Sequence, residues 1–325
     1  MQWSGLFAGD IIMIMKKGDT KESMLSLLQK NSGGYISGEQ LAGELGVSRA
    51  YVWKVIKSLQ EDGYEIKSVH GRGYSLGTGD RLVKQAVEEY LGPGWNVLLY
   101  DEIDSTNDEL KRLAEKGAPV RTLVMARRQT AGKGRKGRSF YSPLDTGVYF
   151  SVLIGRDCPF GASDMVTPRA AVAVDMAVRE LCGIESGIKW VNDIYIGSKK
   201  VCGILSEAAL SMESSQIRYM LVGIGINIST DDFPEEIESK AASLGKTDVN
   251  RLVARVSELL MSLSDGEVLE IYRAHSCVIG REIEIAETGR TAKAVGINDS
   301  GNLMVEYPDG EKDVLISGDI SIKVI

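Results

Sequence analysis

Apolar residues recur along this chain with helical, continuous and alternating spacings, and each spacing marks a different kind of unit. In the first 78 residues the spacing is helical. Met24, Leu27 and Leu28 share one face of a helix predicted over Lys21–Lys30. Ser37 then caps a short helix over Gly38–Leu45, and Gly46-Val47 makes a tight turn. Ser48 caps a second helix from Arg49 to about Asp62, with the apolar stripe Val52, Val55, Ile56 and Leu59. Two short helices joined by a glycine turn make a helix-turn-helix pattern. Tyr64–Val69, a turn over His70–Gly73 and Tyr74–Leu76 follow as a β-hairpin wing, and Gly77-Thr-Gly79 reads as a linker.

The middle of the chain mixes both periods. A helix is predicted over Arg81–Leu91 and a strand over Asn96–Tyr100. Thr106 and Glu109 have capping-box spacing and open a helix that ends near Gly117. Thr122–Ala126 and Gly147–Ile154 are nearly continuous apolar runs, the pattern of strands buried on both faces. Thr167 at N-cap and Pro168 at the first helical position open a helix to about Cys182. Its face, Ala171, Val174, Val178 and Leu181, reads as core without chemistry. Gly187–Ile196 and Lys199–Ala208 read as two strands joined at Gly197-Ser198. Tyr219–Ile228 is apolar except for Asn227, and a further helix runs from Asn250 to Ser264. After Val278 the period becomes two. Ile283 and Ile285, Leu303 and Val305, and Val314 and Ile316 alternate with polar residues between glycine turns. This predicts a small antiparallel, barrel-like β unit of about fifty residues.

Composition narrows the classes. A chain of 325 residues with 43% hydrophobic content holds two or three domains. Its net charge of -7 excludes a general nucleic-acid coat, so any DNA contact is local. The second N-terminal helix supplies one, offering Ser48, Arg49, Tyr51, Lys54 and Lys57 to solvent, with Arg72 in the wing. The same fold also serves dimerisation between proteins. The four cysteines are isolated and read as buried thiols of a reducing, cytoplasmic compartment. With only His70 and His275 they assemble no zinc site. The first 18 residues read as an extension that is neither a signal peptide nor long enough to span a membrane. Met13 and Met15 are alternative starts.

One segment breaks every apolar pattern. Gly132 to Arg138 holds three glycines and the cations Lys133, Arg135, Lys136 and Arg138, and no acid lies between Gln129 and Asp145. Glycine lets backbone approach a ligand, and guanidinium groups bind carboxylate or phosphate by forked hydrogen bonds. Between two buried strands this predicts a loop that orders around an anion. Lys189, Asn192, Asp193 and Lys200 interrupt apolar strands in a way that suits a site. Cations, one carboxylate fit for Mg²⁺ and an asparagine beside glycines suit activation of a carboxylate by a nucleotide phosphate. The loop lacks G-x-x-x-x-G-K-[ST], so it is no Walker loop.

The ordered set resembles the biotin–protein ligases, in particular the bifunctional type that also represses the biotin operon. Gln129-Thr-Ala-Gly-Lys-Gly-Arg-Lys-Gly-Arg138 is similar to that family's glycine/arginine loop. Lys189-Trp-Val-Asn-Asp193, Lys200-Val-Cys-Gly-Ile-Leu205, Val222-Gly-Ile-Gly-Ile-Asn227 and Asp104-Ser-Thr-Asn107 match its other motifs. The resemblance implies an α+β fold with a winged helix-turn-helix, a central mixed α/β ligase domain like class II synthetases and a C-terminal SH3-like β-barrel. The expected boundaries are an extension over 1–18, then domains over 19–78, 79–276 and 277–325.

It further implies biotin and ATP with Mg²⁺ as reactants, a biotin carboxyl carrier domain as acceptor, operator DNA, a homodimer and no membrane. Carried across by motif, Ser105, Thr106, Asn107, Gln129, Gly132, Lys133, Gly203 and Ile204 would bind biotin. Arg135, Arg138, Phe140, Asn192 and Asn227 would bind ATP or the adenylate. Arg135, Lys189, Asp193 and Lys200 would act in catalysis, with Asp193 on the metal. Three positions depart from the family pattern: Lys133 for arginine, Phe140 for tryptophan and Val191 for proline, the last predicting a straighter strand. A lipoate–protein ligase of the same fold and a ligand-sensing regulator without ligase activity are the alternatives.

Overall fold

The computed structural model describes residues 20–21, 23–25, 27–28, 31, 34–61, 64–77, 81–211 and 216–322. The N-terminal extension with its alternative starts lies outside these residues, as does most of the predicted linker. The chain divides into two compact units, Met1–Val83 and Lys84–Ile325.

In the first unit, the described residues from Thr20 to Leu28 are helical. Helix α1 (Gly38–Leu45) opens with a capping box, since Ser37 Oγ accepts from Gln40 N–H and the Gln40 side chain accepts from Ser37 N–H. Gly46 ends it at φ +63°, the left-handed conformation that glycine adopts without penalty. Ser48 Oγ accepts from Tyr51 N–H at 3.2 Å and starts helix α2 (Arg49–Glu61), which buries Val52, Val55, Ile56 and Leu59 as its periodicity requires. Strands β1 (Ile66–Val69) and β2 (Gly73–Leu76) form the antiparallel wing. Gly73 has φ +106°, and a Cβ there would lie 2.1 Å from Ile36 O. That glycine lets β2 pair with Ile36 as well as with β1.

The second unit is built on a seven-stranded mixed sheet. After helix α3 (Lys84–Leu91) come β3 (Asn96–Tyr100), helix α4 (Thr106–Glu115), β4 (Thr122–Ala126), β5 (Gly147–Pro159) and helix α5 (Val166–Cys182). Then follow β6 (Gly187–Lys189), β7 (Asp193–Ile196), β8 (Lys199–Leu210) and β9 (Gln216–Asn227). The sheet order is β3-β4-β5-β9-β8-β7-β6, with β3 and β4 parallel and the other neighbours antiparallel. Leu110 and Ala114 of α4 pack on Val124, Leu153, Tyr219 and Leu221. Helices α6 (Glu235–Glu238), α7 (Val249–Ser262) and α8 (Asp265–Ala274) lead to a second sheet. Its strands β10 (Glu282–Ile285), β11 (Thr291–Ile297), β12 (Leu303–Glu306), β13 (Lys312–Leu315) and β14 (Ile320–Ile322) take the antiparallel order β13-β12-β11-β10-β14. No helix among the described residues is long and apolar enough to cross a membrane.

The local expectations fail where a tertiary partner outbids the neighbouring residue. Ser105, not Thr106, is the N-cap of α4, and Glu109 turns to the Tyr100 hydroxyl and to Arg112. Thr167 caps nothing, because α5 starts at Val166 and the Thr167 hydroxyl donates to Ser206 Oγ at 2.9 Å. The strand expected over Gly187–Ile196 is two strands, β6 and β7, folded back on each other around Trp190–Asn192. Val191 therefore sits at a turn and does not straighten the chain. The helix expected over Asn250–Ser264 ends at Ser262, and Ser264 caps a further helix, α8. Only Cys202 among the four free thiols is fully buried. Helix α5 is core but not purely apolar. Its buried Asp175 is held by Arg179, the Ser186 hydroxyl at 2.6 Å and His275 Nδ1 at 2.5 Å.

Candidate active site

A cavity of about 580 Å³ opens over the β8–β9 region of the large sheet. Its floor is bare backbone for a stated reason. A Cβ on Gly225 would lie 2.4 Å from the Phe140 ring, and one on Gly203 would meet Lys200 Nζ at 3.0 Å and Phe140 at 3.1 Å. Glycine at both positions admits an aromatic ring and a cation directly onto the strands. Phe140 also meets Tyr149 edge-to-face, with centroids 6.3 Å apart.

Four separated segments carry the polar groups expected in the site. From the start of α4 come Ser105, Thr106 and Asn107, all buried. Gln129 Oε1 accepts from Thr106 N–H at 2.9 Å and from its hydroxyl at 3.2 Å, while Gln129 Nε2 donates to Ser142. Ser151, buried in β5, donates its one hydroxyl hydrogen to Asn107 Oδ1 and lies 2.8 Å from Thr106 Oγ1. Asn107 Nδ2 donates to Leu205 O and Glu207, and Glu207 pairs with Lys111 at 2.6 Å. This network fixes every polar side chain of that wall in one orientation.

The second segment is the glycine/arginine loop, which links β4 to β5 and carries a short turn at Arg135–Gly137. No local acid balances its charge, but distant ones do. Lys133 reaches Asp108 at 2.6 Å, Arg138 reaches Asp319 at 2.6 Å, and Lys136 pairs with Glu287. Arg135 Nη1 donates to Gly318 O at 3.0 Å and Asn192 Oδ1 at 3.3 Å.

The third and fourth segments are the β6–β7 turn with the start of β8, and the end of β9. Lys189 is half-buried, with Nζ 3.3 Å from the Tyr195 hydroxyl. Burial lowers its pKa, and the neighbouring Lys200 adds to that effect against Asp193. Burial also pushes the Tyr195 hydroxyl up to about 12. Lys200 Nζ stands 2.6 Å from Asp193 Oδ1, an atom that is buried and has no aligned hydrogen-bond donor. Asn192 Nδ2 donates to Ile204 O, and Asn227 Nδ2 to Ala242 O.

Of the residues expected in the site, all but Gly132 line this cavity: Ser105, Thr106, Asn107, Gln129, Lys133, Arg135, Arg138, Phe140, Lys189, Asn192, Asp193, Lys200, Gly203, Ile204 and Asn227. Gly132 lies behind it, where a Cβ would lie 2.6 Å from Phe140 O. Two contributors escaped the sequence reading, the Phe233–Ala241 stretch and Ala286 with Asp319–Ser321. Asp319 meets Arg138 across 181 residues, and no local pattern signals such a pair.

In the first unit Ser48, Arg49, Lys54, Lys57 and Arg72 are exposed and Tyr51 is partly so. The Arg72 guanidinium lies 4.5 Å above the Tyr35 ring. Trp53, which the charge pattern did not single out, is 54% exposed beside them.

Three family models match the chain: an HTH domain over residues 20–75, the biotin/lipoate A/B protein ligase family over 99–227 and the biotin protein ligase C terminal domain over 278–323. The bifunctional ligase/repressor BirA of Bacillus subtilis is 31% identical over 322 residues, covering 93% of this chain and 98% of that protein. The protein of the same name from Escherichia coli is 27% identical, with 95% and 99% covered. A structure of biotin protein ligase from Aquifex aeolicus in complex with biotin and ATP is 30% identical with a TM-score of 0.58, covering 70% of this chain and 98% of that one. Domain content, near-complete coverage and fold agree, and the chain belongs to the family of bifunctional biotin ligase/repressors.

Proposed function

We propose that the second unit joins biotin to ATP, giving biotinyl-5′-adenylate and pyrophosphate, and passes the biotinyl group to a lysine of a biotin carboxyl carrier domain. The first unit binds operator DNA, as a homodimer on two half-sites. The observation that carries the reading is the convergence of four separated segments on one cavity in a chain of this family. The residue roles are those the family's motifs imply, and the chemistry and position of each side chain support them.

The wall built on Ser105, Thr106, Asn107 and Gln129, with Lys133 from the loop and Gly203 and Ile204 from β8, takes the biotin head group, and Gly132 supports it from outside the cavity by letting the loop pack on Phe140 O. Its fixed network presents polar atoms without further ordering cost. Arg135, Arg138 and Lys200 hold the carboxylate and the α-phosphate. Arg135 and Lys200 offset negative charge as it builds at phosphorus. Lys189 is depressed by burial and gains most from a phosphate placed beside it. Phe140 and Asn227 face the adenine, and Asn192 fixes Arg135.

The site also fits Mg²⁺. Asp193 Oδ1 is one buried carboxylate oxygen, paired with Lys200 at 2.6 Å without an aligned hydrogen bond, and no cluster of three metal-ligating side chains exists among the described residues. One protein carboxylate suits an ion whose other ligands are phosphate oxygens and water. Bound there, Mg²⁺ would neutralise phosphate charge. The reading places the reaction in the cytoplasm, which the free thiols suit.

Biotin-dependent ATP–pyrophosphate exchange tests the reading. Exchange with biotin and none with lipoate is expected. Exchange with lipoate alone would change the substrate, and exchange with neither would end the enzyme reading. A gel shift on a two-half-site operator should strengthen when biotin and ATP are both added. A shift indifferent to them would remove the repressor role.

A further inference from the structure

A second cavity of about 260 Å³ lies between the large sheet and the C-terminal sheet. It shares Arg135, Ile204 and Leu205 with the main cavity, so those residues form a common wall. Its other lining mixes polar groups, Asp164, Thr167 and Ser206 among them, with the apolar Pro168, Val191 and Ile316, and Asp164 is its one carboxylate. The Thr167 hydroxyl donates to Ser206 Oγ at 2.9 Å, which leaves Ser206 one acceptor lone pair and its own O–H for a third group. At its rim stands Ile316, 77% exposed, the largest exposure among the bulky apolar residues described. Val314, two residues earlier in β13, is 43% exposed.

Apart from the shared Arg135 and Ile204, none of these residues is assigned to biotin or ATP. The transfer step, however, needs a second route to the acyl carbon. The adenylate fills the main cavity on one side of Arg135, and a protein-bound lysine must arrive from another. A cavity whose one acid, Asp164, stands with hydroxyls against the Arg135 charge suits an alkylammonium group, and an apolar rim suits the folded domain that carries it.

We infer that this second cavity is the port through which the acceptor lysine reaches the adenylate, and that Ile316 and Val314 dock the carrier domain at its mouth. The inference rests on the proposed ligase reaction. The lysine arrives as an ammonium beside Asp164 and loses one proton to bulk water at the open mouth. Its neutral Nζ attacks the acyl carbon past Ile204 and Leu205. The new C–N bond forms as the C–O bond to phosphate breaks, AMP departs with the bonding pair, and the second proton leaves nitrogen for water. One lysine ammonium and one acyl-adenylate thus give an amide, AMP and two protons.

Two exposed positions test the port without touching the adenylation machinery, Ser317→Trp to block it and Ile316→Glu to spoil the rim. The probes are the full-length chain, ATP, biotin and a purified biotin carboxyl carrier domain. Biotin-dependent ATP–pyrophosphate exchange should stay within about twofold of the unmodified chain in both variants, while kcat/KM for the carrier domain falls about tenfold or more. In Ile316→Glu the loss should appear as a higher KM for the carrier domain. Unchanged transfer in both variants would overturn the port, and so would a parallel fall in exchange, which would assign the cavity to the first step. Absence of exchange in the unmodified chain would instead sink the ligase reading itself.

Discussion

Lys200 and Asp193 face each other at 2.6 Å across two neighbouring strands, with side chains 33% and 20% exposed. In a partly buried pair the cost of desolvating two charges largely offsets their attraction, so it adds little stability. The strands therefore hold the charges for another purpose, and Lys200→Ala should separate the two effects. Exchange should fall about a hundredfold, the scale of one preorganised charge at a reacting centre, while the urea midpoint moves little. Loss of fold and activity together would remove Lys200 from catalysis.

Asp104 and Arg112 form a more open pair, with side chains 44% and 46% exposed, so its contribution is small but its pH dependence is defined. Hydrogen bonds from Arg112 hold its carboxyl down at about 2, below the ordinary 3.8. A carboxylate depressed in the folded state contributes stability that is complete above its unfolded pKa and lost as pH falls through the folded one. The contribution of Asp104 should thus vanish between about pH 4 and pH 2. In Asp104→Asn, acid unfolding should lose that part of its pH dependence; identical acid curves would refute it. The sequence named Asp104 only as part of a motif. Its partner, eight residues on across the first turns of α4, needed the helix to be placed first.

At the scale of elements, legibility followed the range of the forces. Apolar period alone located α2, β4, β5 and β9, because burial of a stripe or a run is decided within the segment. Caps were less secure. Ser105 and Thr106 are both good caps, and Thr106 lost the position because Gln129 and Ser151 claim its amide and hydroxyl. Thr167 lost its capping role to Ser206 in the same way. The turn between β6 and β7 was illegible since Trp190 and Val191 read as strand residues. Only the buried Trp190, donating to Gly301 O at 3.1 Å in the second sheet, accounts for their placement.

The glycines of β8 and β9 were legible as residues but not as a floor. Gly225→Ala sets a Cβ into the Phe140 ring. Overpacking of this kind costs about 1–3 kcal/mol, and the displaced ring should raise the KM for ATP more than that for biotin. Phe140→Ala in the same chain should restore the stability lost to Gly225→Ala. An additive double mutant would show that ring and floor are not in contact.

At the scale of the whole molecule, a net charge of -7 and a DNA-binding unit are compatible because the cations are concentrated on one helix face and one wing. Arg49, Lys54, Lys57 and Arg72 are exposed there, while Asp and Glu dominate elsewhere. Phosphate contacts release counterions, so each should appear in the salt dependence of binding. Removing one lysine should lower the slope of log K against log salt by about one. We predict that slope loss for Lys54→Ala and for Lys57→Ala on any duplex. Trp53→Ala should leave the slope intact and weaken only the preferred operator, since an apolar side chain on that face can contact base edges but neutralises no phosphate. The three variants also separate the two activities of the chain. All change residues of the first unit, and the exchange cavity is lined wholly by residues of the second. Exchange should therefore be unaffected in each. If a DNA-face variant altered exchange without operator present, the two units would share more than a linker, and the repressor's response to biotin and ATP would have to be sought in that shared surface.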